Sequence, residues 1–205
     1  MDALSDLFAG QGDRRARDPV SERRPGEVFF AISPDADGVL GADRTTRLLS
    51  GRHRLTGVPR PADVLHVSLA GIGWYPALRQ ENIEAACRAA AAVVMPPFDV
   101  AFDRAASFSR QEGISPNWPF VLYGGDGVIG MVMLRRALIT ELRKAGIDVN
   151  TNSFEPHMTL LYDRRRIAEQ SIAPVRWRVP EFSLIHSLRG LTKHVHLARW
   201  KLGGQ

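Results

Sequence analysis

The chain has 205 residues, 44% of them apolar and 24% charged, with a net charge of +5 and a sequence pI of about 10.0. That is enough for one real core and ordinary for a globular protein, and it argues against a disordered or fibrous chain. The lone cysteine, Cys87, forbids an internal disulfide and suits a reducing compartment, while the basic balance favours anionic partners such as RNA or nucleotides.

Met1 to Gly26 holds five Arg and five acidic residues with Pro19 and Pro25, and is expected to be a mobile tail before a single domain over residues 27–205. It lacks the cationic start and apolar stretch of a signal peptide, and no apolar run approaches the ~20 residues of a membrane span, so a cytoplasmic protein is expected. Val28-Phe29-Phe30-Ala31-Ile32 is continuously apolar and reads as a buried central strand. Asp35 to Arg54 carries a helical pattern with Val39, Leu40, Leu48 and Leu49 as its apolar positions. Gly57 to Pro61 is a turn-rich link into Val64 to Ala70, which reads as a strand.

Pro76 to Met95 has Ile83, Ala86, Cys87, Ala90 and Val94 at helical spacing, with Pro76 suited to its first turn and Pro96-Pro97 ending it. Cys87 in that Ala-rich pattern reads as a structural thiol. Phe98 to Phe102 alternates and reads as a strand, Ser109 to Pro119 as loop, and Phe120 to Tyr123 as a strand. A second helix is expected from Gly127 to Ala145, with Met131, Leu134, Leu138 and Leu142 on one stripe and Gly146 as its cap. Asp148 to Glu155 is a polar loop before a strand from His157 to Tyr162. Ile172 to Ser187 and His194 to Leu202 read as two closing strand-like runs. This mixture of strands and helices with short links indicates an α+β fold of mainly antiparallel sheet.

Two stretches rhyme: His66-Val67-Ser68-Leu69 and His157-Met158-Thr159-Leu160. A random His-x-(Ser/Thr)-Leu arises about once in twenty such chains, so one copy is uninformative and two are not. In a strand the imidazole and the hydroxyl share one face while the apolar residues enter a core on the other. Two sheets, each offering one such strand to a shared cleft, satisfy the pattern. Neutral and protonated imidazole can serve as base and acid near neutral pH, and the hydroxyls can donate to phosphoryl oxygens, which is what splitting a phosphodiester requires. Two lone histidines without nearby carboxylate or cysteine partners make a poor zinc site, so no metal or other cofactor is expected.

The doubled motif resembles the two-histidine (2H) phosphoesterase superfamily, and within it the bacterial RNA 2′,3′-cyclic phosphodiesterases, also labelled 2′-5′ RNA ligases. Val28 to Ile32, Phe154-x-Pro156-His157, Phe182-Ser183-Leu184 with Ser187, and Trp200-x-Leu202 extend the likeness over roughly residues 27 to 203. The resemblance implies a bilobal fold of two antiparallel sheets around a positively charged cleft, with helices outside. It also implies metal-free hydrolysis of 2′,3′-cyclic phosphate to a 2′-phosphate, with joining of RNA ends through 2′-5′ bonds in some members. His66, Ser68, His157 and Thr159 become the expected catalytic residues, His66 as acid and His157 as base. Close relatives often carry Arg where this chain has Tyr162, so Tyr162 and the following Arg164, Arg165 and Arg166 are the expected substrate-binding residues. RNA ends or cyclic nucleotides are the expected partners of a monomer. A small cyclic nucleotide or an ADP-ribose cyclic phosphate as substrate, or a non-catalytic RNA-binding module, are the alternatives. His53, His186, His194 and His196 lack the hydroxyl-Leu context and read as structural or surface residues. Trp74, Tyr75, Trp118 and Tyr123 read as core or rim packing, with base stacking as the alternative.

Overall fold

The computed structural model describes residues 25–109, 116–188 and 190–203. The expected tail lies outside these residues apart from Pro25 and Gly26, and most of the loop expected between Ser109 and Pro119 also falls outside. Within the described residues eight strands form two antiparallel four-stranded sheets. The first has the order β2 (Val67–Tyr75), β1 (Gly26–Ile32), β7 (Glu181–Leu188), β8 (Lys193–Lys201). The second has the order β5 (His157–Asp163), β4 (Trp118–Tyr123), β3 (Phe98–Ser107), β6 (Gln170–Val179). The two-sheet α+β architecture expected from the paired motifs is therefore present, and β1 is the buried inner strand anticipated for it.

Among the described residues three α-helices accompany the sheets: α1 (Ala36–His53), α2 (Gln80–Ala91) and α3 (Ile129–Lys144). The Asp35 carboxylate starts α1 by accepting the Gly38 N–H at 2.9 Å. Its buried face is Gly38, Ala42, Thr46 and Leu49, against β6; Leu40 and Leu48 point to solvent, contrary to the sequence reading. Small residues, invisible to a count of large apolar ones, let this helix lie close to its sheet. α2 begins at Gln80 rather than Pro76, because Leu78 is buried in the core and its N–H closes a turn onto the Trp74 carbonyl at 2.7 Å. It ends at Ala91, and Val94 beyond it is exposed. α3 buries the anticipated stripe of Met131, Leu134, Leu138 and Leu142. At its end the Gly146 N–H bonds the Arg143 carbonyl and the Ile147 N–H the Leu142 carbonyl, with Gly146 at φ +76°. This is the paired closing motif that a left-handed glycine permits.

The run from Ile172 to Ser187 is two strands, not one. Pro180 has no N–H to pair and stands between β6 in one sheet and β7 in the other, where the chain changes sheet.

One face of each sheet enters the main core: Val28, Phe30 and Ile32 from β1, and Phe120, Leu122, Met158 and Leu160 from β4 and β5. The opposite faces carry two separate small clusters, Phe29 with Ala31 and Ile185, and Ala106 with Val121 and Tyr123. The motif strands β2 and β5 are each a sheet edge, and they meet each other.

The segment between α1 and β2 is strapped to the end of β5 by Asp163, whose side chain is almost fully buried. Its carboxylate accepts the backbone N–H groups of Thr56 (2.6 Å), Gly57 (2.7 Å) and Arg165 (2.8 Å). Gly57 is required here, since a Cβ would fall on the Tyr162 carbonyl oxygen. Burial alone would raise the Asp163 pKa, but these bonds outweigh it and hold it below the ordinary value. Replacing Asp163 by Ala would leave three backbone donors without this partner, at about 1 kcal/mol or more each. Asp163→Ala is expected to lower unfolding free energy by about 3 kcal/mol in urea melts. A change under about 1 kcal/mol would show that water replaces the carboxylate.

Candidate active site

Each motif contains a β-bulge, and at the same residue. Ala31 pairs with Ser68 and Phe30 with Ala70, so Leu69 is the extra residue; Val121 pairs with Thr159 and Phe120 with Leu161, so Leu160 is the extra residue. Leu69 and Ala70 are both in the core, as are Leu160 and Leu161, which strict alternation would forbid. The two bulged carbonyls are captured from outside the sheets. The Leu69 oxygen accepts from Arg135 Nε on α3 at 3.0 Å, and the Leu160 oxygen accepts the Arg60 backbone N–H at 2.7 Å. Arg135 also donates to the Asn150 carbonyl at 2.9 Å and lies over the Phe154 ring, tying α3 to the approach to the second motif.

The two histidines are held alike. His66 Nδ1 lies 2.8 Å from the Val64 carbonyl, the last residue of a short 3₁₀ turn (Ala62–Val64), and His157 Nδ1 lies 2.8 Å from the Glu155 carbonyl. A carbonyl only accepts, so Nδ1 carries the proton in each ring and Nε2 is left to act in the cleft. Each imidazole also packs on a phenylalanine: Phe29 at 5.1 Å from His66, and Phe108 at 5.0 Å from His157. His66 itself precedes β2 rather than lying within it, so the strand expected from Val64 begins only at Val67.

His66, Ser68, His157 and Thr159 line one cavity of about 290 Å³ between the sheets. Tyr162 lines it too. Arg164, Arg165 and Arg166 do not: all three are exposed, and Arg166 lies over the Trp118 ring on the rim of a neighbouring cavity. The cation that lines the cleft is Arg60, from the link before the first motif.

Sequence reasoning also missed His194. It pairs with Ser187, which pairs with Glu27, and this row across β8, β7 and β1 faces the cleft. Its ring stands edge-on to His66 at 4.8 Å and near Phe29 at 5.9 Å. The alternation His194-x-His196 within a strand was the available signal, and lack of a hydroxyl partner hid it. Of the others, His53 bonds the Gln170 amide, and His186 is buried beside Tyr75. Tyr123 is buried in the floor of the second sheet, whereas Trp74 is largely exposed.

Burial lowers the His66 pKa, opposed by its bond to Val64 and reinforced by Arg60 and His157. Burial, His66, Arg60 and His196 push His194 down to about 3; burial and Arg199 push His196 down to about 4. Burial raises Glu27. Burial in the cleft thus favours neutral side chains. Among the described residues no group of three or more His, Cys, Asp or Glu is gathered as a metal site, and no described helix is long and apolar enough to cross a membrane.

Residues 43–200 match the family model described as the 2′-5′ RNA ligase superfamily. The chain is 29% identical to the RNA 2′,3′-cyclic phosphodiesterase of Escherichia coli over 186 residues, covering 87% of this chain and 97% of that protein. The crystal structure of Escherichia coli LigT in apo form superposes with a TM-score of 0.70 at 26% identity, covering 89% of this chain and 99% of LigT. LigT complexed with 3′-AMP gives 0.67 at 27% identity, covering 87% and 98%.

Histidines held neutral in the fold lose stability to acid in a definite window. Unfolded His194 and His196 take up protons near 6.5, while the folded residues do so only near 3 and 4. Their contribution is complete above pH 6.5 and is lost as pH falls below it. The Tm is expected to fall between pH 6.5 and 4.5, and His194→Gln should flatten that slope; an unchanged slope would show that His194 titrates normally.

Proposed function

The chain belongs to the 2′-5′ RNA ligase superfamily, and from that premise we propose that it is an enzyme that hydrolyses the 2′,3′-cyclic phosphate of RNA ends to a 2′-phosphate. The observation that carries this is the convergence of two carbonyl-anchored imidazoles and two hydroxyls on one cleft. A pure binding module has no use for two histidines with Nε2 freed in the same way. The named relatives act on cyclic phosphate ends of RNA and bind a nucleotide, which supports this substrate class. The reading includes a monomer in a reducing cytoplasm, in line with the lone Cys87.

His157 Nε2 accepts the proton of the attacking water, and His66 Nε2 protonates the departing 3′ oxygen. Ser68 and Thr159 donate to the non-bridging oxygens as charge builds on them. Arg60 meets the anion in place of the arginine triplet. Because burial depresses His66, its proton is stabilised only once the anionic phosphate arrives. Substrate binding and acid activation are then one event.

Replacing His66 or His157 by Ala should lower kcat/KM for a cyclic-phosphate-ended RNA by at least ~10²-fold. Ser68→Ala and Thr159→Val should cost about 10-fold to 10³-fold. Activity should persist in EDTA. A folded His157→Ala protein with near-full activity, or loss in chelator restored by zinc, would defeat the mechanism. Arg60→Ala should weaken binding of the RNA end more than the Arg164, Arg165, Arg166 triple Ala variant does; the reverse order would return phosphate recognition to the triplet.

The coupling of proton and anion has its own signature. The His66 limb should lie at higher pH in kcat than in kcat/KM, since the first reports the bound enzyme and the second the free one. Coincident limbs would show that the anion does not raise His66.

A further inference from the structure

The cleft face of the first sheet continues past His66 as one row. Trp74 pairs with Glu27, Glu27 with Ser187 and Ser187 with His194, so the four side chains stand in line across β2, β1, β7 and β8. Glu27, Ser187 and His194 also line the catalytic cleft. Two members of the row take no part in cleaving the phosphate. Trp74 is 54% exposed, although an indole ordinarily finds cover. Glu27 has no hydrogen bond or ion pair among the described residues. Its Oε1 lies 3.1 Å from where a Cβ on Gly71 would stand, and Gly71 pairs with Phe29, the ring that packs on His66. Glycine at that position leaves the space beside the carboxylate open. Burial raises the Glu27 pKa because water reaches the charge poorly, and a ligand that brings N–H donors would offset that.

The direction of the reaction brings a nucleoside to this row. In-line attack admits water opposite the departing 3′ oxygen. His157 serves the water and His66 the 3′ oxygen, so the ribose that carries the cyclic phosphate stands on the His66 side, against the first sheet. Glu27 lies two residues along β1 from Phe29, about 7 Å. The base attached to that ribose therefore comes over the row.

Which base it favours follows from the carboxylate, which accepts two parallel hydrogen bonds and donates none. On the edge by which proteins read unpaired bases, guanine offers N1–H and N2–H side by side. Uracil offers one N–H between two carbonyls. Adenine and cytosine each offer an amino group beside a ring nitrogen whose lone pair would face the carboxylate. The exposed indole, in contrast, offers a stacking face to any base.

We propose, resting on the roles given above to His66 and His157, that Glu27 and Trp74 form a base-reading wall of the cleft and that Glu27 selects guanine on the ribose that carries the cyclic phosphate. The indole holds the base whatever its identity, and the carboxylate ranks the bases. The preferred substrate is then an RNA end, or a 2′,3′-cyclic mononucleotide, whose terminal base is guanine.

Two measurements test it. In the first, kcat/KM is read for the 2′,3′-cyclic phosphates of guanosine, adenosine, cytidine and uridine. Guanosine should lead by about 10-fold, the scale of a hydrogen bond to a charged group, and Glu27→Gln should abolish the lead. Trp74→Ala should lower all four by about 10-fold and keep their order. Equal values in the wild-type protein, or a guanosine lead that survives Glu27→Gln, would overturn the proposal while leaving the catalytic reading intact. In the second, 2′-GMP and 2′-AMP are titrated calorimetrically into the full chain. Tighter binding of 2′-GMP that is lost in Glu27→Gln supports the base-reading wall even if no hydrolysis is found, in which case the reading of the catalytic residues fails and the wall stands. Equal affinities for the two nucleotides overturn it.

Discussion

The site depends on the two bulges. A sheet edge with regular pairing would place every second residue on the core side and commit each carbonyl to the ladder or to water. Inserting Leu69 and Leu160 lets two successive residues enter the core and bends each strand just after its hydroxyl. Capture of the freed carbonyls by Arg135 and by the Arg60 N–H then fixes how β2 and β5 stand toward one another. The leucine closing each motif is therefore part of the geometry of catalysis, although it faces away from the cleft. Asp163 completes the arrangement by holding the segment that carries Arg60 against the end of β5.

With the frame fixed, the electrostatics of the cleft follow. Burial lowers His66 and His194 and raises Glu27, so every shift there favours the uncharged form. A cleft arranged in this way, with Arg60 and the imidazoles as its reserve of positive charge among the described lining side chains, gains most from a ligand that brings negative charge. His194 beside His66 does more than fill space, since its ring adds to the burial of its neighbour and a proton on one ring would repel a proton on the other. An anionic phosphate offsets both effects. The free state is thereby kept from holding several charged groups together without a counter-ion.

Much of this was legible in the sequence. The two motifs, the stripe of α3 and the apolar run of β1 all carry their signal locally, in spacing or in unbroken hydrophobicity. What was not legible depended on distant parts of the chain. The buried face of α1 uses Gly38 and Ala42 because β6 lies close beneath it, and a search for large apolar residues selects Leu40 and Leu48 instead. Arg60 and His194 reach the cleft through a strap onto β5 and a register across three strands, neither of which is written near them. The arginine triplet shows the converse. Proximity in sequence to the second motif suggests a place at the phosphate, but β5 ends at Asp163, Arg164 and Arg165 are exposed, and Arg166 lines the neighbouring cavity.

The near two-fold likeness of the halves ends at the imidazoles. Each has a histidine anchored by the carbonyl two residues before it, a phenylalanine against its ring and a bulged leucine. Beyond that the inner faces diverge. The first sheet continues into Glu27, Ser187 and His194, which close round His66 on the cleft side. The second opens past Phe108 into a wide cavity with Tyr123 and Glu169 at its end. The enclosed His66 is governed by the charge of what binds beside it, and His157 stands where the catalytic cleft meets the second cavity, with Phe108 against its ring.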